Sequence, residues 1–214
     1  ALHDSLDRRG PQRICPQIGI LKPGTGNAMA HMVGAHAPVE HLLAAMRGEQ
    51  EDALTLELIE EGGRLVPFAG IGWDAAILND YLEVKNRYQG RIGRRVFHSL
   101  LGYAAAIGMR TIPREMTRRE PTNIRARNLG QASHLLPDGR QLPIPKGTLL
   151  FDGPCKFAGV STVPNYGFGM KVYPFAGTES GKMHLRISAM GVTETLRALP
   201  AIWRGEYRSP NLLD

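Results

Sequence analysis

The spacing of apolar positions changes period several times along the chain. Residues 15–21, Cys-Pro-Gln-Ile-Gly-Ile-Leu, form a short apolar run that predicts a buried strand. A polar, glycine-rich turn follows at 22–27. Ala28-Met29-Ala30-His31-Met32-Val33 then predicts a helix start, stopped by Gly34. A second helix is predicted over 38–47, with Pro38 in its first turn and Val39, Leu42, Leu43 and Met46 on one stripe. From residue 53 the period becomes two. Leu54, Leu56 and Leu58 alternate with Thr55 and Glu57, the pattern of a half-buried strand. Gly62-Gly63 marks a hairpin turn, with 65–71 as the returning strand. Helical patterning comes back over 73–84 and 96–107.

After Pro113 the pattern is nearly all β. Strands are predicted at 122–127, 131–135, 148–152, 157–163, 170–173 and 184–189, with turn residues between them. Asp138-Gly139 and Asp152-Gly153 read as hairpin dipeptides. Two short helices, 193–199 and 202–207, close the chain. The predicted class is α+β: a fragment of an α/β nucleotide-binding domain over 1–50, then a β-rich, sandwich-like domain over 51–214 with a helical excursion at 73–107. Residues 1–6 read as the interior of an amphipathic helix, and 209–214 leave two leucines to bury after Pro210. The expectation is therefore a piece of a longer chain.

Composition removes several alternatives. Hydrophobic residues are 43% of the 214 and charged residues 21%, which excludes disordered and fibrous classes. Two cysteines exclude a disulfide scaffold, and both Cys15 and Cys155 lie in apolar runs, predicting buried thiols in a reduced cytoplasm. No run approaches the roughly 20 apolar residues of a membrane helix. The formal net charge of +6 suits a phosphate or anionic-lipid partner. Its densest stretch holds Arg110, Arg114, Arg118, Arg119, Arg125 and Arg127. That stretch reads first as a solvated loop, diluted by Glu115 and Glu120, and second as a surface for lipid headgroups. Aromatics are only 7% and do not interleave with the basic residues, so no nucleic-acid partner is expected. His31, His36 and His41 are spaced by five with Pro38 between them, which does not place two imidazoles on one helix face for a metal.

The sharpest chemical feature is Gly24-Thr25-Gly26-Asn27. Two glycines flanking a threonine let backbone amides approach a ligand, and successive amides in a turn before a helix form a concavity for phosphate oxygens. Thr25 adds a hydroxyl and Asn27 an amide. On spacing alone, a plain tight turn after a strand is an equal reading.

The surroundings carry a resemblance. Ile18-Gly19-Ile20-Leu21-Lys22-Pro23-Gly24-Thr25-Gly26-Asn27-Ala28-Met29-Ala30 resembles the "ILPLGTGN-x-hydrophobic-A" segment of the diacylglycerol kinase and sphingosine kinase superfamily. Ala28 stands where bacterial diacylglycerol kinases usually carry Asp, which is more like the sphingosine kinase branch. Phe68-Ala69-Gly70-Ile71-Gly72-Trp73-Asp74-Ala75 is similar to the family's "GxGxDA" segment. Asn165-Tyr166-Gly167-Phe168-Gly169-Met170-Lys171-Val172-Tyr173-Pro174 resembles its "GGGM-x-hydrophobic-x-P" run, and Trp203-Arg204-Gly205 stands at its "xxG" turn.

The resemblance implies an ATP-dependent lipid kinase with a NAD kinase-like fold, which moves the γ-phosphoryl group of ATP to a lipid hydroxyl with Mg²⁺. It implies nucleotide binding by Gly24, Thr25, Gly26 and Asn27, and contact of Asp74 with the lipid head. A plain helix cap is the other reading of Asp74. Expected partners are ATP, a lipid substrate and a peripheral membrane surface, in a cytoplasmic protein, with a homo-oligomer allowed. The family's "GGDGT" loop and late "DGE" carboxylate are absent, so no catalytic residue is assigned and this stretch alone is expected to be inactive. Thr178-Glu179-Ser180-Gly181 stands where some members carry "DDG". With one carboxylate left, no metal ligand is assigned there. Tyr166, Phe168, Met170, Tyr173 and Phe175 read as either core or lipid pocket, and the 96–107 helix as a gate for acyl chains. A non-catalytic lipid- or nucleotide-binding module is the alternative function.

Overall fold

The structure is a computed structural model that describes residues 19–20, 28–33, 38–49, 54–87, 108, 111–117, 122–136 and 140–214. It is α+β, with helices beside open antiparallel sheets. Helix α1 spans Ala28–Met32 and α2 spans Pro38–Met46. The predicted α2 stripe is present, but Val39, Leu42, Leu43 and Met46 are all exposed among the described residues. Of the predicted 15–21 strand, Gly19 and Ile20 have no regular structure and the rest lies outside the described residues.

Strands β1 (Ile59–Glu61) and β2 (Arg64–Val66) form the hairpin that Gly62-Gly63 predicts. β3 (Phe68–Gly72) leads directly into α3 (Trp73–Arg87), and a short α4 covers Ile112–Thr117. The predicted 96–107 helix lies outside the described residues. Then come β4 (Thr122–Arg127), β5 (Ala132–Leu135), β6 (Gln141–Ile144), β7 (Leu149–Cys155) and β8 (Phe157–Ser161). A 3₁₀ turn at Gly167–Gly169, β9 (His184–Ser188), α5 (Val192–Arg204) and β10 (Leu212–Leu213) complete the order.

The main sheet has the order β10-β9-β8-β3, all antiparallel. β4 and β7 pair as a second sheet. The two meet across an apolar core, where Cys155 of β7 packs with Ala158 and Ile187 of the main sheet, flanked by Ile124, Phe151 and Leu185. Apolar burial of this kind contributes about 25 cal/mol per Å² of surface removed from water. Cys155 is buried as predicted, and burial pushes its thiol pKa up. Cys15 lies outside the described residues.

Two close approaches fix glycine in this sheet. At Gly72 φ is +88°, and a Cβ would collide with the Lys156 carbonyl oxygen. At Gly159 a Cβ would collide with the Tyr173 hydroxyl. Gly72 lets one chain lie directly on another, and Gly159 leaves room for a ring hydroxyl.

Several elements differ from the sequence pattern. Residues 54–58 alternate like a strand yet pair along no ladder among the described residues. Glu57 instead spends its carbonyl on the Thr162 hydroxyl at 2.7 Å. Residues 170–173 form no strand; the Lys171 N–H donates to the Trp203 carbonyl at 3.0 Å instead. The two predicted closing helices are one, α5, which continues through Pro200. Asp152 is mid-strand, opposite Arg125, rather than in a turn. Asp138-Gly139 lies outside the described residues, between β5 and β6, which do form a hairpin.

Candidate functional site

Short contacts converge on one place. α1, the segment that follows Gly24–Asn27, packs on the Gly167–Gly169 turn, and Ala30 is fully buried. The Phe68 ring sits 4.9 Å from that of Tyr166, centroid to centroid. Gly205, in the left-handed conformation with φ +74°, closes α5 and lies against Pro174 and Lys171. The stretches that resemble the lipid kinase segments, far apart in sequence, are therefore neighbours in space.

Beside this junction is a cavity of about 230 Å³. Its floor is the main sheet, through Phe157 and Ser188. Trp73 and Ile77 of α3 and Thr111 and Ile112 form one wall, and Leu196, Leu199 and Ile202 of α5 the other. Tyr166 and Met170 close one end. Leu196 and Leu199 are 49% and 39% exposed, so the slot opens to solvent past leucines. An apolar slot with few polar groups suits an apolar ligand.

The α3 side of the slot is tied down by one carboxylate. Asp80 of α3 is 4% exposed and accepts hydrogen bonds from the Thr111 hydroxyl at 2.7 Å and the Arg114 guanidinium at 2.9 Å. It thereby joins α3 to α4. On the α5 side, Glu194 accepts from Ser209 at 2.7 Å, Tyr207 at 3.0 Å and Asn211 at 3.1 Å. The Ser209 bond is the chief cause of its lowered pKa, against the opposing effect of burial. Tyr207 lines the slot, so this network fixes its position.

Arg186 of β9 reaches the cavity edge with its charge already neutralised. Its Nε donates to Asp214 Oδ1 at 2.5 Å and Nη2 to Oδ2 at 2.9 Å, while His184 Nε2 lies 3.1 Å from Oδ1. Burial raises the Asp214 pKa, but the bonds from His184 and Arg186, and their charge, outweigh it and bring it from 3.8 down to about 2.

The predicted site residues divide. Gly24, Thr25, Gly26 and Asn27 lie outside the described residues. Asp74 is the second residue of α3, directly after the cavity residue Trp73, and its side chain is outside the described set. The aromatic run splits both ways. Tyr166 and Met170 line the slot, whereas Tyr173 is core and packs with Phe175 around His184. The described members of the basic stretch are engaged: Arg114 with Asp80, Arg125 with Asp152 at 2.8 Å, Arg127 with the Gly147 carbonyl at 2.7 Å. Arg110, Arg118 and Arg119 are outside the described residues.

At 178–181, Glu57 supplies a carboxylate that sequence reading assigned to a strand. It accepts from the Ser180 hydroxyl and from the Gly181 N–H at 2.9 Å, and these bonds lower its pKa. Glu179 pairs with Lys182. Among the described residues no three carboxylate, imidazole or thiol groups lie close enough to hold a metal ion, so no Mg²⁺ ligand is assigned from them. Among the described residues no helix is long and apolar enough to cross a membrane.

The residues that sequence reading missed are Asp80, Thr111 and Arg186, together with the pairing of Arg114 to Asp80 and of Glu57 to the 180–181 turn. A polar residue six positions after Asp74 on an otherwise apolar helix face was the one available signal. No family model matches the chain, and no curated protein matches it.

Proposed function

We propose that this chain is part of an ATP-dependent lipid kinase similar to the diacylglycerol and sphingosine kinases, and that the slot beside Trp73 holds an acyl chain. One observation carries the reading: α1, the Phe68–Gly72 strand and the Gly167–Gly169 turn, which follow or contain the resembling segments, meet beside the end of an apolar cavity that Tyr166 and Met170 close. In this reading the 24–27 loop binds the phosphates of ATP and Asp74 meets the lipid head. The lipid hydroxyl oxygen bonds the γ-phosphorus as the bond to ADP breaks, and the hydroxyl proton passes to a general base not found among the described residues. Such a protein works in the cytoplasm, peripherally at a membrane, with Mg²⁺ assisting the nucleotide.

The test is transfer of labelled γ-phosphate by the full-length protein to diacylglycerol, sphingosine and related lipids. Transfer to at least one lipid is expected, with a large loss in Gly26→Asp, which puts a charge among the phosphate-facing amides. No transfer to any lipid by the protein with an intact loop rejects the kinase. No carboxylate lines the cavity among the described residues, which favours the second reading, a non-catalytic lipid- or nucleotide-binding module. Tight lipid binding without transfer is its signature.

A further inference from the structure

The loop between β4 and β5 that carries Leu129 is pinned by hydrogen bonds, and it turns an apolar side chain outward. Asn128 is 6% exposed, and its side chain pins the loop from inside. Its Nδ2 donates to the Ile144 carbonyl at 2.9 Å and the Pro145 carbonyl at 3.1 Å, while its Oδ1 accepts from the Gly130 N–H at 3.1 Å. The Gly147 N–H adds a bond to the Asn128 carbonyl at 2.7 Å. Leu129, between two pinned residues, is 73% exposed. Buried hydrogen bonds thus hold the loop in place with its leucine turned to water.

The chemistry around Leu129 is basic. It shares one concave surface with Lys146 and Lys182, and no acidic residue lines that surface. Lys182 pairs with Glu179 at 2.6 Å. Lys146 has no ion-pair partner among the described residues, and Arg140 lies on the same β5–β6 hairpin. That hairpin stands as its own two-stranded sheet, and Leu142 on it is exposed as well.

We propose that the β4–β5 loop and the base of the β5–β6 hairpin dock on an anionic membrane, with Leu129 entering the interface and Lys146 meeting lipid phosphates. A membrane fits better than an acidic protein. A single rigid leucine beside lysines offers an insertion point and point charges, not a flat apolar face. Each basic residue near an anionic surface contributes about 1 kcal/mol, roughly fivefold in binding. The proposal rests on the lipid kinase reading only for its purpose, which is to bring the slot to a bilayer that holds the substrate.

Co-sedimentation with vesicles, without ATP, tests it. The full chain is mixed with phosphatidylcholine vesicles with and without phosphatidylserine, at low and high salt. Binding to the anionic vesicles that weakens with salt is expected. Leu129→Gln and Lys146→Glu should each reduce it about fivefold or more, while Leu65→Gln, an exposed leucine on the β1–β2 hairpin, retains it. Far-ultraviolet circular dichroism checks that all variants are folded. Equal binding by Leu129→Gln and Leu65→Gln overturns the proposal, as does equal binding to both vesicle types or to neither. A protein that sediments as expected yet transfers no phosphate defeats the kinase and leaves the docking face standing.

Discussion

Two carboxylates hold this molecule, and they hold different things. Asp214 sits beneath β9 with side-chain exposure of 8%, against an Arg186 side chain at 4%. Asp80, at 5%, is more buried still, but its cation, Arg114, is 49% exposed. The first pair is sealed inside the body of the sheet. The second is a clasp, half in water, between two helices that wall the slot. A sealed pair is costly to break because the surviving charge has no water. A half-wet pair is cheap to break because Arg114 simply turns to solvent. The sheet is thus a fixed floor and the α3–α4 wall an adjustable one.

The contrast is broken most directly by Asp214→Ala. It leaves the Arg186 guanidinium buried and unpaired, and a loss of about 3–5 kcal/mol is expected, read as one cooperative drop in Tm. A loss under 1 kcal/mol would mean that water reaches Arg186 and the pair is not sealed.

Acid sharpens the same point. The Asp214 pKa is depressed in the folded state, so its contribution is complete above 3.8 and disappears as pH falls from there toward about 2. The amount lost over that window is about 2 kcal/mol by linkage. Denaturant titration of the native protein against Asp214→Asn measures it. The variant should show a flatter stability curve between those pH values.

The smallest global effect belongs to Asp80→Ala. It strands the buried Thr111 hydroxyl and releases Arg114, costing about 1 kcal/mol. Hydrogen exchange should quicken in α3 and α4 while β8 and β9 keep their protection. Uniform quickening across the sheet would show that the wall and floor are a single unit.

How much of this was legible depends on whether a residue's partner is near in sequence. α2, α3, β4, β8 and β9 follow their local periods closely, as do the Gly62-Gly63 turn and the burial of Cys155. α4 was missed because Pro113 was read as a break, although proline in a first turn starts a helix. β6 was missed because Pro143 lies within it, which only an edge strand such as one of a lone hairpin tolerates. The 54–58 alternation misled because a strand needs a ladder partner, and Glu57 found the 180–181 turn instead.

The site was legible as a set of motifs but not as a cavity. Trp73, Tyr166 and Leu196 meet only once the sheet is assembled, and nothing in their local spacing says so. Asp80 and Arg186 owe their importance to partners more than twenty residues away. The β3–β8 register that gathers the slot is equally non-local, pairing Phe68 with Ser161.

That register sets a timetable for the chain. Gly72 pairs with Phe157, and the Trp73 N–H reaches the Lys156 carbonyl at 2.8 Å, so everything between leaves and returns at one sheet edge. Closing so wide a loop carries an entropic penalty that grows only slowly with its length but must be met before the ladder returns any gain. The newborn polypeptide therefore cannot complete this edge until its later half has left the ribosome. Lengthening or trimming the detour should change how fast the sheet zips far more than how firmly it holds.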